Sequence, residues 1–213
     1  MNFERARARM VEEQLAGRGI SDPRVLAAMA KVERHQFVED ALRVRAYDDK
    51  PLPIGEHQTI SQPFMVGLMT QALELRGEER VLEVGTGCGY QAAVLAELAA
   101  NVFSIERITA LSTAARRLLD RLEYFNVAIR VGDGTLGWAE EAPFDAIVVG
   151  AGTPQVPRPL VAQLRDGGRL VFPIGEEELQ TLVRIRKEGT ALREEYFGEC
   201  RFVRLVGRYG WER

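Results

Sequence analysis

The sequence is poor in the residues that cross-link a chain or hold a metal. Of its 213 residues, two are cysteine and two are histidine. Cys88 and Cys200 cannot build a disulfide framework. His35 and His57 are far apart with no cysteine near either, so no zinc site is expected. No apolar run reaches the ~18 residues that a membrane span needs. The N-terminal stretch from Met1 to Arg9 is charged and lacks the apolar segment of a secretion signal. A cytoplasmic protein with no membrane partner is therefore expected. The formal net charge is −3, which argues against a nucleic-acid partner held by bulk positive charge. Repeats, low-complexity tracts and long linkers are absent. The length suits a single domain, residues 1–213, with a monomer as the expected state.

What is present falls into two parts. Residues 1–75 read as helical, interrupted by a loop at 48–63. A first helix spans 2–17 with Gly17 as its C-cap, and a second opens at Asp22-Pro23, with Val25, Leu26, Met29 and Val32 on one face. Pro63 fits the first turn of a third helix, whose stripe of Met65, Leu68, Met69, Ala72 and Leu73 reads as core. From residue 76 to the end, apolar strands alternate with helices: strands at 81–84, 102–105, 128–131, 144–149 and 169–172, helices at 89–100, 108–125 and 158–164. That alternation predicts an α/β fold with a mostly parallel sheet covered on both faces. Residues 180–187 and 200–206 look like strands with no helix between them, which predicts an antiparallel hairpin at one sheet edge.

The first strand of this core runs into Glu83-Val84-Gly85-Thr86-Gly87-Cys88-Gly89-Tyr90, a glycine loop between a strand and a helix. A dinucleotide fingerprint would need a third glycine where Tyr90 stands, and no lysine follows to make a phosphate loop. Glu83 lies just before the first glycine. A carboxylate there would repel a pyrophosphate but suit a cationic ligand, and S-adenosylmethionine carries both an ammonium and a sulfonium. Glu106 ends the next strand, near the ~20-residue offset of a ribose-binding acid. Asp133-Gly134 follows the third strand, where an aspartate could accept a bond from an adenine amino group. Either acid alone would more often be a solvated strand end; together they stand at the sheet edge where open α/β folds bind ligands.

More specific are Leu52-Pro53-Ile54-Gly55 and Gln58-Thr59-Ile60-Ser61-Gln62-Pro63. With the glycine loop, Gly132-Asp133-Gly134, Ala142 to Ile147 and Gly167-Gly168-Arg169-Leu170, they make the chain resemble the protein-L-isoaspartate (D-aspartate) O-methyltransferase family over nearly its whole length. The resemblance implies a Rossmann-like S-adenosylmethionine-dependent methyltransferase fold, S-adenosyl-L-methionine as cofactor with S-adenosyl-L-homocysteine as product, and isoaspartyl proteins and peptides as partners. It assigns Ser61 as the catalytic residue. Glu83, Gly85, Thr86, Gly87, Gly89, Glu106, Asp133 and Gly134 would bind the cofactor, and Thr59, Ile60, Ser61, Gly150, Ala151 and Val203 the substrate. Cys88 stands where the family more often has serine, Glu33 and Arg204 where it often has proline, and Gly152 where alanine is common.

The implied reaction methylates the free carboxylate of an L-isoaspartyl residue, with D-aspartyl residues as a further acceptor class. The ester then closes to a succinimide that hydrolyses in part to normal aspartate. A carboxyl group of pKa near ~4 is already ionised at neutral pH, so no general base is needed. The enzyme's work is alignment. By position alone Ser61 would read as a helix N-cap; the surrounding motif gives it the acceptor role instead. The rival readings are a methyltransferase for a small molecule or RNA, and a non-catalytic cofactor-binding module on the same scaffold.

Overall fold

The computed structural model describes residues 2–212. Helix α1 (Phe3–Arg9) is capped by Asn2, whose side chain accepts from the Arg5 amide at 3.0 Å. The chain then widens into a π-helical turn (Met10–Leu15) that buries Met10 and Leu15 completely, and tightens into a 3₁₀ turn (Ala16–Arg18). It stops at Gly19, left-handed at φ 97°, two residues beyond the expected cap at Gly17. The wider turn accounts for the difference, because it carries helical structure past Gly17. Helix α2 (Pro23–Lys31) starts as expected, with Asp22 accepting from the Arg24 amide and Pro23 in the first turn. Val25, Met29 and Val32 are buried, whereas Leu26 is only half-buried and Ala28 takes its place in the core.

Residues 48–63 are more ordered than a plain loop. Strands β1 (Leu52–Pro53) and β2 (Thr59–Ile60) pair antiparallel, Leu52 opposite Ile60 and Pro53 opposite Thr59. The turn between them runs through Gly55, Glu56 and His57, all at positive φ. Ile60 points into the core and Thr59 outward. Helix α3 (Pro63–Ala72) follows. Its first turn is capped not by Ser61 but by Asp49, which accepts from the Phe64 amide at 3.0 Å and is paired with Arg18. The Arg18 guanidinium also lies over the Phe64 ring at 3.7 Å. At the other end, Arg184 donates to the Ala72 carbonyl at 2.9 Å and Arg169 to that of Leu73 at 2.7 Å. Helix α3 is thus tied down at both ends. Met69, Ala72 and Leu73 are core, as their spacing predicts; Met65 and Leu68 are only half-buried.

The remaining elements are β3 (Arg80–Val84), α4 (Tyr90–Ala96), β4 (Asn101–Glu106), α5 (Thr109–Arg121), β5 (Val127–Val131), β6 (Phe144–Val149), α6 (Arg158–Ala162), β7 (Leu164–Gly175), β8 (Gln180–Glu188) and β9 (Ala191–Cys200). They form a seven-stranded sheet in the order β5-β4-β3-β6-β7-β8-β9. The first five are parallel; β8 and β9 add antiparallel. Alternation along each strand divides the core. Val81, Ala146 and Val148 face a cluster shared with the N-terminal helices and α4, while Leu82, Val84, Ile147 and Val149 face a second cluster on the opposite side.

The edge hairpin exists, but its outer strand is Ala191–Cys200, not 200–206. Strand β9 is mostly exposed and polar, so it shows no apolar alternation. The apolar residues Phe202, Val203 and Leu205 leave the sheet edge. They run back over the ends of the parallel strands, where the Gly152 amide donates to the Val203 carbonyl and the Leu205 amide to that of Gly152, both at 2.8 Å.

The cap on α3 generates a prediction. Asp49→Ala removes an N-terminal cap and an ion-pair partner, and should lower stability by roughly 1–2 kcal/mol. Denaturant unfolding measures that loss, and hydrogen exchange should show faster opening of residues 59–64 than of the sheet.

Candidate active site

The parallel order reverses direction between β3 and β6, with β4 and β5 on one side and β7 on the other. A crevice opens there, at the C-terminal ends of the strands. Its floor is backbone. Gly85 donates to the Ile105 carbonyl at 2.8 Å, and Gly150 to that of Val84 at 2.8 Å. Gly85, Gly87 and Gly89 all take positive φ, at 95°, 54° and 88°, which is where glycine is favoured. A β-carbon on Gly87 would stand 3.2 Å from Ile54, so the hairpin β1–β2 closes directly onto the glycine loop.

Three chambers meet in this crevice. The outer one is lined by Val84, Ile105, Glu106, Ile108, Gly134 and Leu205, with Ala151 on its wall. The inner one is lined by Glu83, Thr86, Cys88, Gln91, Ile60 and Ser61. The third, about 450 Å³, opens to solvent between Ser61, Met65, Leu179, Arg201, Phe202 and Val203. Thr59 and Gly150 border all three, and Ser61 borders the inner and the third. Because Asp49 caps α3, the Ser61 hydroxyl is not occupied as a helix cap.

The acids behave differently from one another. Glu106 holds the glycine loop: one oxygen accepts from the Gly87 amide and the other from the Ile108 amide, both at 2.9 Å. Glu83 is buried at the end of a hydroxyl chain, in which Thr86 donates to Ser104 at 2.5 Å and Ser104 donates to Glu83 at 2.5 Å. Burial pushes the Glu83 carboxyl up to about 8, the Ser104 hydrogen bond pulling against that rise and the nearby Glu106 adding to it. Asp133 is placed differently from its sequence expectation. One carboxylate oxygen takes the Thr135 amide and hydroxyl, at 2.9 and 2.6 Å, and the other takes the Arg208 amide at 2.8 Å. Its side chain tethers the C-terminal turn, and the neighbouring Gly134 lines the outer chamber instead. Gly89 lines none of the three chambers. It starts α4, where a β-carbon would stand 3.2 Å from Leu119 and crowd α5.

This arrangement coincides with a known family. The model of protein-L-isoaspartate(D-aspartate) O-methyltransferases matches residues 5–210. The chain belongs to this family. A protein-L-isoaspartate O-methyltransferase of Syntrophus aciditrophicus is 58% identical over 212 residues, covering 98% of this chain and 97% of the relative. One of Geobacter metallireducens is 60% identical over 213 residues, covering 99% and 98%. Among solved structures, a protein-L-isoaspartate O-methyltransferase superposes with TM-score 0.87 at 31% identity, covering 96% of this chain and 67% of its own. A putative protein-L-isoaspartate O-methyltransferase of Plasmodium falciparum, solved with S-adenosyl-L-homocysteine, gives 0.80 at 27% identity, covering 95% and 97%.

Several lining residues of this family member lie outside the set expected to bind cofactor or substrate. Gln58, Arg107, Ile108 and Val206 line the outer chamber, and Met65 turns from the expected core stripe into the third. Ser104 had a readable signal: it is the polar residue inside the apolar strand Val102-Phe103-Ser104-Ile105. Gln180 had none. Buried behind the third chamber, it donates to the Glu176 and Glu177 carbonyls and accepts from the Phe202 amide at 2.9 Å. Arg204 faces the outer chamber and reaches Glu177 at 3.5 Å.

Glu83 yields a pH prediction. Its folded pKa is raised, so between the ordinary value of 4.5 and about 8 the folded chain keeps a proton that the unfolded chain has lost. Stability from this group therefore falls as pH rises through that window and levels off above it. Glu83→Gln removes the effect. Its stability advantage over the parent should widen from about pH 5 to about pH 8 and then stay constant. Denaturant midpoints of both proteins across this range measure it, and parallel curves would contradict the assignment.

Proposed function

We propose that this chain transfers the methyl group of S-adenosylmethionine to the free carboxylate of L-isoaspartyl residues in damaged proteins and peptides, beginning their repair. The observation that carries the reading is the meeting of the three chambers at Thr59 and Gly150, with Ser61 between the inner and the third. The outer chamber suits an adenosine, with aliphatic walls from Val84, Ile105, Ile108 and Leu205, and Glu106 to accept from ribose hydroxyls. The inner chamber suits the amino-acid end, with the buried carboxyl of Glu83 among its walls. The fit is tested at Gly134, where any β-carbon would strike the Val84 side chain; only glycine leaves that wall open.

When bound, the cofactor supplies an electrophilic methyl group on a sulfonium, displaced in line by a nucleophile. The chain's own residues supply the alignment. Ser61 stands between the inner and third chambers and donates a hydrogen bond to the acceptor carboxylate. That carboxylate is ionised at neutral pH and needs no base. Thr59 and Gly150 form the border through which the acceptor must reach. In an isoaspartyl residue the free carboxylate sits directly beside the residue's own amide; in normal aspartate one more carbon intervenes. A border formed by backbone and small side chains reads that difference, because it positions the carboxylate and the adjacent peptide group together.

The same reading places the protein in the cytoplasm as a monomer without a nucleic-acid partner. The two unpaired cysteines support the compartment and the net charge of −3 the lack of a nucleic-acid partner, and among the described residues no helix is long and apolar enough to cross a membrane.

The test uses methyl-labelled cofactor and two short peptides identical except for one isoaspartyl or aspartyl residue. Base-labile label should appear on the isoaspartyl peptide alone. Ser61→Ala should lower kcat/KM by ~10-fold or more while cofactor binding is kept. No label on either peptide, with cofactor bound, would overturn the reading in favour of another acceptor.

A further inference from the structure

Gln91 is the second residue of α4, and it lines the inner chamber with Glu83, Thr86 and Ser61. Its amide nitrogen is buried and has no hydrogen-bond partner among the described residues. Other buried polar groups around the chamber are satisfied: Thr86 by Ser104, Glu83 by Ser104, and the Gly87 amide by Glu106. Buried polar groups in folded proteins are nearly always paired, so a buried donor left over at the wall of a cavity calls for an acceptor that comes with the ligand.

The cofactor's amino-acid end carries two charged groups of opposite sign. Glu83 supplies a carboxyl for the ammonium; beside the Thr59 and Ser61 hydroxyls, the Gln91 amide is the buried side-chain donor of this lining left without a partner among the described residues. We infer that the Gln91 side-chain amide is a binding residue that donates a hydrogen bond to the carboxylate of the cofactor's amino-acid end, so that Glu83 and Gln91 together read that end as a zwitterion. The inference rests on the proposed cofactor reading and goes beyond it by assigning a recognition role to a residue that no motif marks. Its consequence is selectivity, since a nucleoside lacking the carboxylate leaves the Gln91 donor buried and unpaired.

Calorimetric titration of the whole protein with S-adenosylhomocysteine and with its decarboxylated analogue tests this without any turnover. The unaltered protein should prefer the intact ligand. In Gln91→Leu that preference should shrink by ~10-fold or more, through weaker binding of the intact ligand, while the decarboxylated analogue binds as before. In Gln91→Glu, a carboxylate facing a carboxylate should weaken the intact ligand further and leave the analogue unaffected or tighter. The analogue also reports folding, because a variant that fails to fold loses both ligands. Equal weakening of both ligands in folded Gln91→Leu protein, or no change in either, would overturn the inference while leaving the cofactor reading intact. Failure of the unaltered protein to bind S-adenosylhomocysteine would overturn both.

Discussion

The crevice depends on the parallel pairing of β3 with β6. Val84 lies opposite Val149, and the next residue of each strand is a glycine. The Gly150 amide donates to the Val84 carbonyl at 2.8 Å, and a β-carbon on Gly150 would lie only 3.5 Å from the Gly85 carbonyl oxygen. Two backbones therefore come together with no side chain between them at the point where the sheet changes direction. That close approach makes the floor of the outer and inner chambers, and it sets Gly150 at their border with the third. Strand pairing in a buried parallel sheet is cooperative and hard to shift, so the floor is as rigid as the core beneath it.

Everything above the floor is brought in by segments that are not part of the parallel sheet. The hairpin β1–β2 arrives from the N-terminal side, held by Asp49, Arg18 and the capped start of α3. The C-terminal run arrives from the other side, held by Gly152, by Gln180 and by Asp133 through the Arg208 amide. Trp211 closes the turn by donating from its ring nitrogen to the Gly152 carbonyl at 3.1 Å. A site assembled this way can keep its cofactor floor constant while the acceptor face is set by two shorter segments. Loops carried on a rigid scaffold are the usual place for such recognition.

The parallel core was legible because burial on both faces leaves long apolar runs, as in Phe144–Val149, and because glycines punctuate strand ends. The edge was not. Strand β9 is exposed and mostly polar, so nothing in its pattern marks a strand, whereas Phe202, Val203 and Leu205 look like one although that run makes only isolated bridges, at Arg204 and Val206. At the N-terminus, no composition signal distinguishes a π turn from an α-helix, so the cap moved from Gly17 to Gly19. Within the site, Glu83, Glu106, Ser61, Gly85, Gly87 and Gly134 line the chambers, whereas Gly89 packs against α5. Asp133 is held by Thr135 and Arg208, from a local turn and a distant one, and only the folded chain shows the second.

The most direct measurement is a crystal structure of the protein with S-adenosylhomocysteine and an isoaspartyl peptide bound together. The account predicts the thioether sulfur in the inner chamber and the free carboxylate within hydrogen-bond reach of the Ser61 hydroxyl, the two facing each other across Thr59 and Gly150. A carboxylate seated away from Ser61, or a cofactor whose amino-acid end points out of the inner chamber, would contradict it.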